Sequence, residues 1–213
     1  RCSCCDRSVA FAFAMPPKDE AQEELERHWQ AVAFRGAVER GQVEEVEEIL
    51  ENGGNANYKM TDGSTWTVLM LAANSGHKDL VEKFARRVDE RDPHGFQAII
   101  LAASHGHHEV CQILLDRKAD VNARNEAGES SLMMAAAEGH WETVKLLLNS
   151  SADPDLVDCN DMSAVKKAAK WGRVECLQEL LAKCKQDPRQ LKHCLLFGRL
   201  FGHEQVVTEV NRI

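Results

Sequence analysis

Asp92 to Arg124 reads DPHGFQAIILAASHGHHEVCQILLDRKADVNAR, and near-copies of it stand on either side along the chain. Its markers are Gly95, the run Ile99-Ile100-Leu101-Ala102-Ala103, the dipeptide Gly106-His107, the pair Leu114-Leu115, and the exit Ala119-Asp120-Val121-Asn122-Ala123. The same punctuation recurs as Ala72-Ala73 with Gly76-His77, Ala135-Ala136 with Gly139-His140, and Ala168-Ala169 with Gly172-Arg173. Each copy runs on into an apolar pattern such as Val144, Leu147 and Leu148. Apolar residues three and four apart share one face of a helix, so each copy reads as a small-residue helix, a turn at glycine, and an amphipathic helix. Weaker terminal copies surround Gly41 and Gly202-His203.

These residues resemble the ankyrin repeat, a unit of about 33 residues with a β-turn and two helices. The resemblance covers Trp29 to the end of the chain. It implies an all-α solenoid of paired antiparallel helices with β-turn or hairpin tips, in about six repeats including caps. The expected division is a disordered leader over 1–19, an N-terminal helix and capping repeat over 20–60, four repeats over 61–187, and a C-terminal capping repeat over 188–213.

The leader does not resemble the rest. Val9 to Met15 is apolar, follows Arg7 and offers Ala12-Phe13-Ala14 as a cleavage pattern, but it is short for a signal peptide. Met15-Pro16-Pro17-Lys18 reads like a natural start, and Cys2, Cys4 and Cys5 lack the further ligands a structural zinc needs. Glu20 to Leu50 reads as acidic and helical, which suits the polar outer face of a cap.

The net charge of −8 excludes a general phosphate-backbone binder. No apolar run approaches the roughly 20 residues of a membrane helix. Of the eight cysteines, Cys111 and Cys176 fall on apolar helix faces, and Cys159, Cys184 and Cys194 have no ligand spacing. Reduced thiols in a cytoplasmic protein are expected, with the nucleus as the alternative.

Where the copies depart from the resemblance, loops and columns change. Ser64, Thr65 and Trp66 make the second tip two residues longer, so a bulging loop is expected there. Asp161 replaces the turn glycine, a left-handed position that aspartate tolerates. The family's Thr-Pro-Leu-His opening appears as Thr67-Val68-Leu69-Met70, Gln97-Ala98-Ile99-Ile100, Ser130-Ser131-Leu132-Met133 and Ser163-Ala164-Val165-Lys166. A stacked apolar column of Met70, Ile100 and Met133 is expected instead of the usual histidine bonding.

No catalytic motif, phosphate-cradling loop or paired cysteine couple is present. The chain is expected to be non-enzymatic, with no catalytic residues, cofactor or metal. His105, His107 and His108 form the densest histidine cluster, but the repeat gives His107 a structural position. Ser130 or Ser131 reads as a helix cap rather than a phosphorylation site. Asn122 resembles a hydroxylated asparagine of some ankyrin proteins, and its structural reading is a bond to the neighbouring loop.

By resemblance, partners bind at the turn tips and the adjoining concave face of the first helices. Trp66, His94, Phe96, His105, Asn125, Glu126 and Trp171 are therefore the expected contact residues, exposed aromatics being common interface anchors. The residue before each glycine forms a column of Arg40, Ser75, His105, Glu138, Trp171 and Phe201, in which Trp171 with Lys167, Lys170 and Arg173 suggests a cationic-aromatic patch. The expected function is an adaptor or regulatory module, monomeric alone, binding another protein and neither nucleic acid nor membrane. The alternative is a structural subunit of a large stable assembly.

Overall fold

The computed structural model describes residues 31–52, 57–59, 65–183 and 188–212. The expected leader, the acidic stretch before residue 31 and the tip over 60–64 lie outside the described residues. Described are α1 (31–39), α2 (Val43–Glu51), β1 (Asn57–Lys59), β2 (Thr65–Thr67), α3 (Val68–Ser75), α4 (Lys78–Phe84), α5 (Ala98–Ser104) and α6 (His108–Asp116). The chain continues through α7 (Ser131–Glu138), α8 (Trp141–Asn149), α9 (Ala164–Lys170), α10 (Val174–Lys183), α11 (Pro188–Leu200) and α12 (Glu204–Val210). Paired in order, the helices make a solenoid of six repeats including its ends.

Two rows of helices result. The first helices stack α3 on α5, α5 on α7, α7 on α9 and α9 on α11, while the second helices stack α4, α6, α8, α10 and α12 behind them. The alanine pairs explain the close first row: Ala72, Ala73, Ala102, Ala103, Ala135, Ala136, Ala168 and Ala169 are wholly buried. A larger side chain at any of them would have to displace a neighbouring helix. Second helices are amphipathic, burying Val110, Cys111 and Leu114 in α6 and Val144 and Leu147 in α8.

The column Met70, Ile100 and Met133 is buried, as expected. Lys166 continues it, and its Nζ turns back to the Asp161 side chain and carbonyl, each at 2.7 Å. Asp161 adopts the left-handed conformation with φ 58°. Thr67, Ser130 and Ser163 cap their helices by accepting from the backbone N–H three residues on. Ser130, not Ser131, is thus the cap; Ser131 donates to the Val121 carbonyl.

The Gly-His dipeptides are the joints. His77 Nε2 lies 2.7 Å from the Glu39 carbonyl oxygen, His107 Nε2 3.1 Å from that of Asn74, His140 Nε2 3.1 Å from that of Ser104, and His203 Nε2 3.1 Å from that of Lys170. Facing a carbonyl, Nε2 donates the proton. Arg173 keeps the pattern, its Nε donating to Ala137 O at 3.0 Å. Each ring or guanidinium stem lies on the glycine of the preceding repeat, so the joint needs both residues at once.

At the second tip Trp66 stands in a strand rather than a loop: β2 pairs antiparallel with β1, Trp66 opposite Tyr58, while residues 60–64, where the expected bulge would fall, lie outside the described residues. A ladder takes up the added backbone polar groups that a loop would leave to solvent.

Candidate partner-binding face

The turn tips are built on one device repeated every 33 residues. Asp92 Oδ1 accepts from the backbone N–H groups of His94 and Phe96, Asn125 Oδ1 from that of Glu129, and Asp158 Oδ1 from those of Asn160 and Met162. These Asx turns fix each tip. Neighbouring tips are joined by Glu126 N–H donating to His94 O, Cys159 N–H to Ala127 O, and Asp153 N–H to Asn122 Oδ1 at 2.8 Å. Asn122 therefore holds the next loop, the structural reading of that residue.

The turns also determine what several expected contact residues do. Asn125 is buried, its Nδ2 donating to Glu129 Oε2, so its side chain is taken up by the turn rather than offered to a partner. Trp66 is half-buried and donates Nε1–H to Asp92 Oδ2 at 3.0 Å, tying the hairpin to the next tip. Phe96, expected to be uncovered, packs against the core. His94 and Glu126 are exposed on adjacent tips.

His105 and Trp171 stand at the ends of first helices. His105 is exposed, its ring stacked 6.1 Å from that of His107, with Nδ1 3.1 Å from Leu101 O. With Glu138 and Phe201 they form a row of exposed side chains at equivalent positions. Trp171 is 55% exposed, so the C-terminal repeat does not cover it.

The cationic patch expected around Trp171 is smaller than its sequence suggests. Lys170 Nζ lies 5.4 Å from the centre of the Trp171 ring, a cation–π contact. Arg173 lies across Gly139 as a joint residue. Lys167 is buried and sits between Glu129 Oε1 at 2.6 Å and Asp158 Oδ2 at 3.0 Å.

Electrostatics keep this triad ionised. Burial works against the Glu129 charge, but the hydrogen bonds from Lys167 and Asn125 outweigh it and hold its carboxyl below the usual value. Burial likewise opposes the Asp158 charge, and the Met162 N–H, Lys167 and Asn160 N–H bring it below its usual value. Burial disfavours the Lys167 ammonium, yet its two carboxylates raise its pKa. Buried charges persist in this way only when paired and hydrogen-bonded.

Above the triad lies a groove of about 630 Å³ lined by Met134, Glu138, Met162, Lys170, Trp171 and Phe197, with Glu129, Asp158 and Lys167 in its floor. Sequence reasoning found Trp171 and Glu138 but missed the floor. The signal was a matched exchange: Glu129 stands in the column of Phe96 and Met162, and Lys167 in that of Leu101 and Met134. Opposite charges in two apolar columns of adjacent repeats predict an ion pair.

Among the described residues no cluster of three or more metal-ligating side chains occurs, and no helix is long and apolar enough to cross a membrane. Cys111, Cys176 and Cys194 are buried free thiols, and burial pushes them up to about 12, 11 and 11.

The family described as ankyrin repeats in three copies matches residues 34–125 and again 119–192. Among curated proteins, the mouse "Ankyrin repeat and SAM domain-containing protein 6" is 37% identical over 92 residues, 41% of this chain. Its rat counterpart matches to the same extent. The matched region spans about 10% of the length of these relatives.

Proposed function

The chain belongs to the ankyrin-repeat family, whose repeats are protein-interaction modules, and from that premise we propose that it is a non-enzymatic adaptor or regulatory subunit. It binds another protein, not nucleic acid, through its turn tips and the concave face of its first helices. The single observation that carries this reading is the row His105, Glu138, Trp171 and Phe201, four exposed side chains held at fixed spacing by the joints beneath them. Because the row is already ordered, association avoids much of the cost of fixing loops. Trp171 is its anchor, with His94 and Glu126 extending the contact along the tips.

The four repeats over 61–187 act as the presenting surface, and the segments over 20–60 and 188–213 act as caps. The protein is monomeric alone. The unreactive buried thiols support a reducing compartment, cytoplasm first and nucleus second.

Capture on the immobilised chain from native extract, followed by sizing of the eluted complex, tests the adaptor. The expected result is an exchangeable partner whose capture falls about tenfold or more with Trp171→Ala, the usual size of a hot-spot truncation, while thermal unfolding is unchanged. Normal capture by that variant would remove this face from consideration. The second reading, a permanent assembly subunit, is favoured by Leu196 and Leu200, which are exposed at the end of the stack. Recovery only within one large, non-exchanging complex would select it.

A further inference from the structure

The groove beside Trp171 has a chemistry of its own. Three carboxylates, Glu129, Glu138 and Asp158, face it against two ammonium groups, Lys167 and Lys170. Lys167 is shared by two of the carboxylates at 2.6 and 3.0 Å, so the floor retains negative charge. Glu138 is exposed at the rim and makes no ion pair among the described residues. An anionic side chain entering here meets repulsion, and a purely apolar one would strip water from an ionised floor.

The walls are equally selective. Trp171 is 55% exposed and already carries a cation, the Lys170 ammonium 5.4 Å from its ring centre. Lys170 is only half-buried, so this contact marks the ring as a cation platform that another cation can take over. Met134, Met162 and Phe197 supply apolar surface beside it. Arginine combines what these walls require: a stem that lies on apolar surface, a weakly hydrated plane that stacks on an aromatic ring, and a fork that matches a carboxylate. A lysine ammonium is more strongly hydrated and lacks the plane.

Resting on the adaptor reading, we propose that this groove is a receptor for an arginine side chain of the partner protein. The guanidinium stacks on Trp171, displacing the Lys170 ammonium, and pairs with Glu138, while its methylenes lie against Met134 and Phe197. Glu129, Lys167 and Asp158 set the negative floor without touching the partner directly.

The test uses the full chain and three blocked peptides, acetyl-Gly-Arg-Gly-amide and its citrulline and glutamate counterparts. The indole N–H resonance of Trp171, identified by its loss in Trp171→Phe, reports binding. The arginine peptide should shift it saturably, and citrulline, nearly the same shape without charge, should bind at least about fivefold more weakly, as expected for a cation on an exposed ring together with a rim ion pair. Glu138→Gln should weaken arginine binding about threefold and leave citrulline binding alone. Lys170→Met should strengthen it, because the competing cation is gone. Equal binding of arginine and citrulline, tighter binding of the glutamate peptide, or no saturable shift would overturn the proposal. So would a captured partner whose contact segment, mapped on Trp171, contains no arginine; that result leaves the adaptor reading intact.

Discussion

Each joint between neighbouring repeats comes down to two residues, and one turn glycine with no side chain lying on it separates their contributions. Gly106 has φ +74°, and a Cβ there would fall 2.5 Å from His140 Nδ1. Gly202 has φ +75° but nothing within 4 Å. Both pay the left-handed backbone penalty on substitution, roughly 1–2 kcal/mol for an ordinary residue. Only Gly106 must also push the imbedded ring away from the Ser104 carbonyl it bonds at 3.1 Å, losing about 1 kcal/mol more for the hydrogen bond before packing is counted. Equilibrium urea unfolding should therefore show Gly202→Ala costing about 1 kcal/mol and Gly106→Ala about 3 kcal/mol. Equal losses would mean that the imidazole contributes nothing to the joint.

The first helices contribute to the core, and the residue six before each turn glycine tracks position along the stack. Met70, Ile100 and Met133 are each buried, whereas Leu196, at the equivalent place in α11, is 58% exposed. Met133→Gln removes a buried apolar side chain and leaves an amide to be satisfied, a loss of about 3 kcal/mol. Leu196→Gln should stay within about 0.5 kcal/mol, as exposed substitutions do. Urea midpoints of the two variants check this, and a large loss at Leu196 would show that the residue is covered in solution. The helices themselves were legible because a repeat states its pattern several times, so Ala-Ala and Gly-His need not be read from one instance. The candidate site was legible only in part. Trp171 could be found because its column is otherwise mostly polar, but nothing local marks Trp66 as bonded to Asp92 or Asn125 as turned into its own tip. Lys167 misled in the opposite direction: Glu129 is 38 residues away, so a partnered, buried lysine read as a surface charge.

A linear stack has few contacts that bypass a joint, so a joint that titrates affects everything on both sides of it. His107 links the second and third repeats, and burial, aided by the nearby His105, His140 and His77, brings its imidazole below the usual histidine value despite the bond to Asn74 O. The unfolded chain then takes up the proton first. Stability is complete above the ordinary value near 6.5 and falls as pH drops through it towards the folded value. Glu129 and Asp158 add a second, lower step: their folded pKa values are depressed, so their contribution is present above about 4 and is lost as pH falls further. Lys167 is raised, so its share is complete below about 10.4 and disappears as pH climbs through the folded value. The buried thiols of Cys111, Cys176 and Cys194 are also raised, so the unfolded chain loses their protons first and stability falls above about pH 8.5. Stability should therefore form a plateau from about pH 7 to about pH 8, with two descending steps on the acid side. Urea midpoints across this range test the shape, and His107→Asn, which cannot titrate, should be less stable at pH 7 yet lack the upper acid step. If that step survives in the variant at full size, the joint between the second and third repeats is not where the chain senses acid.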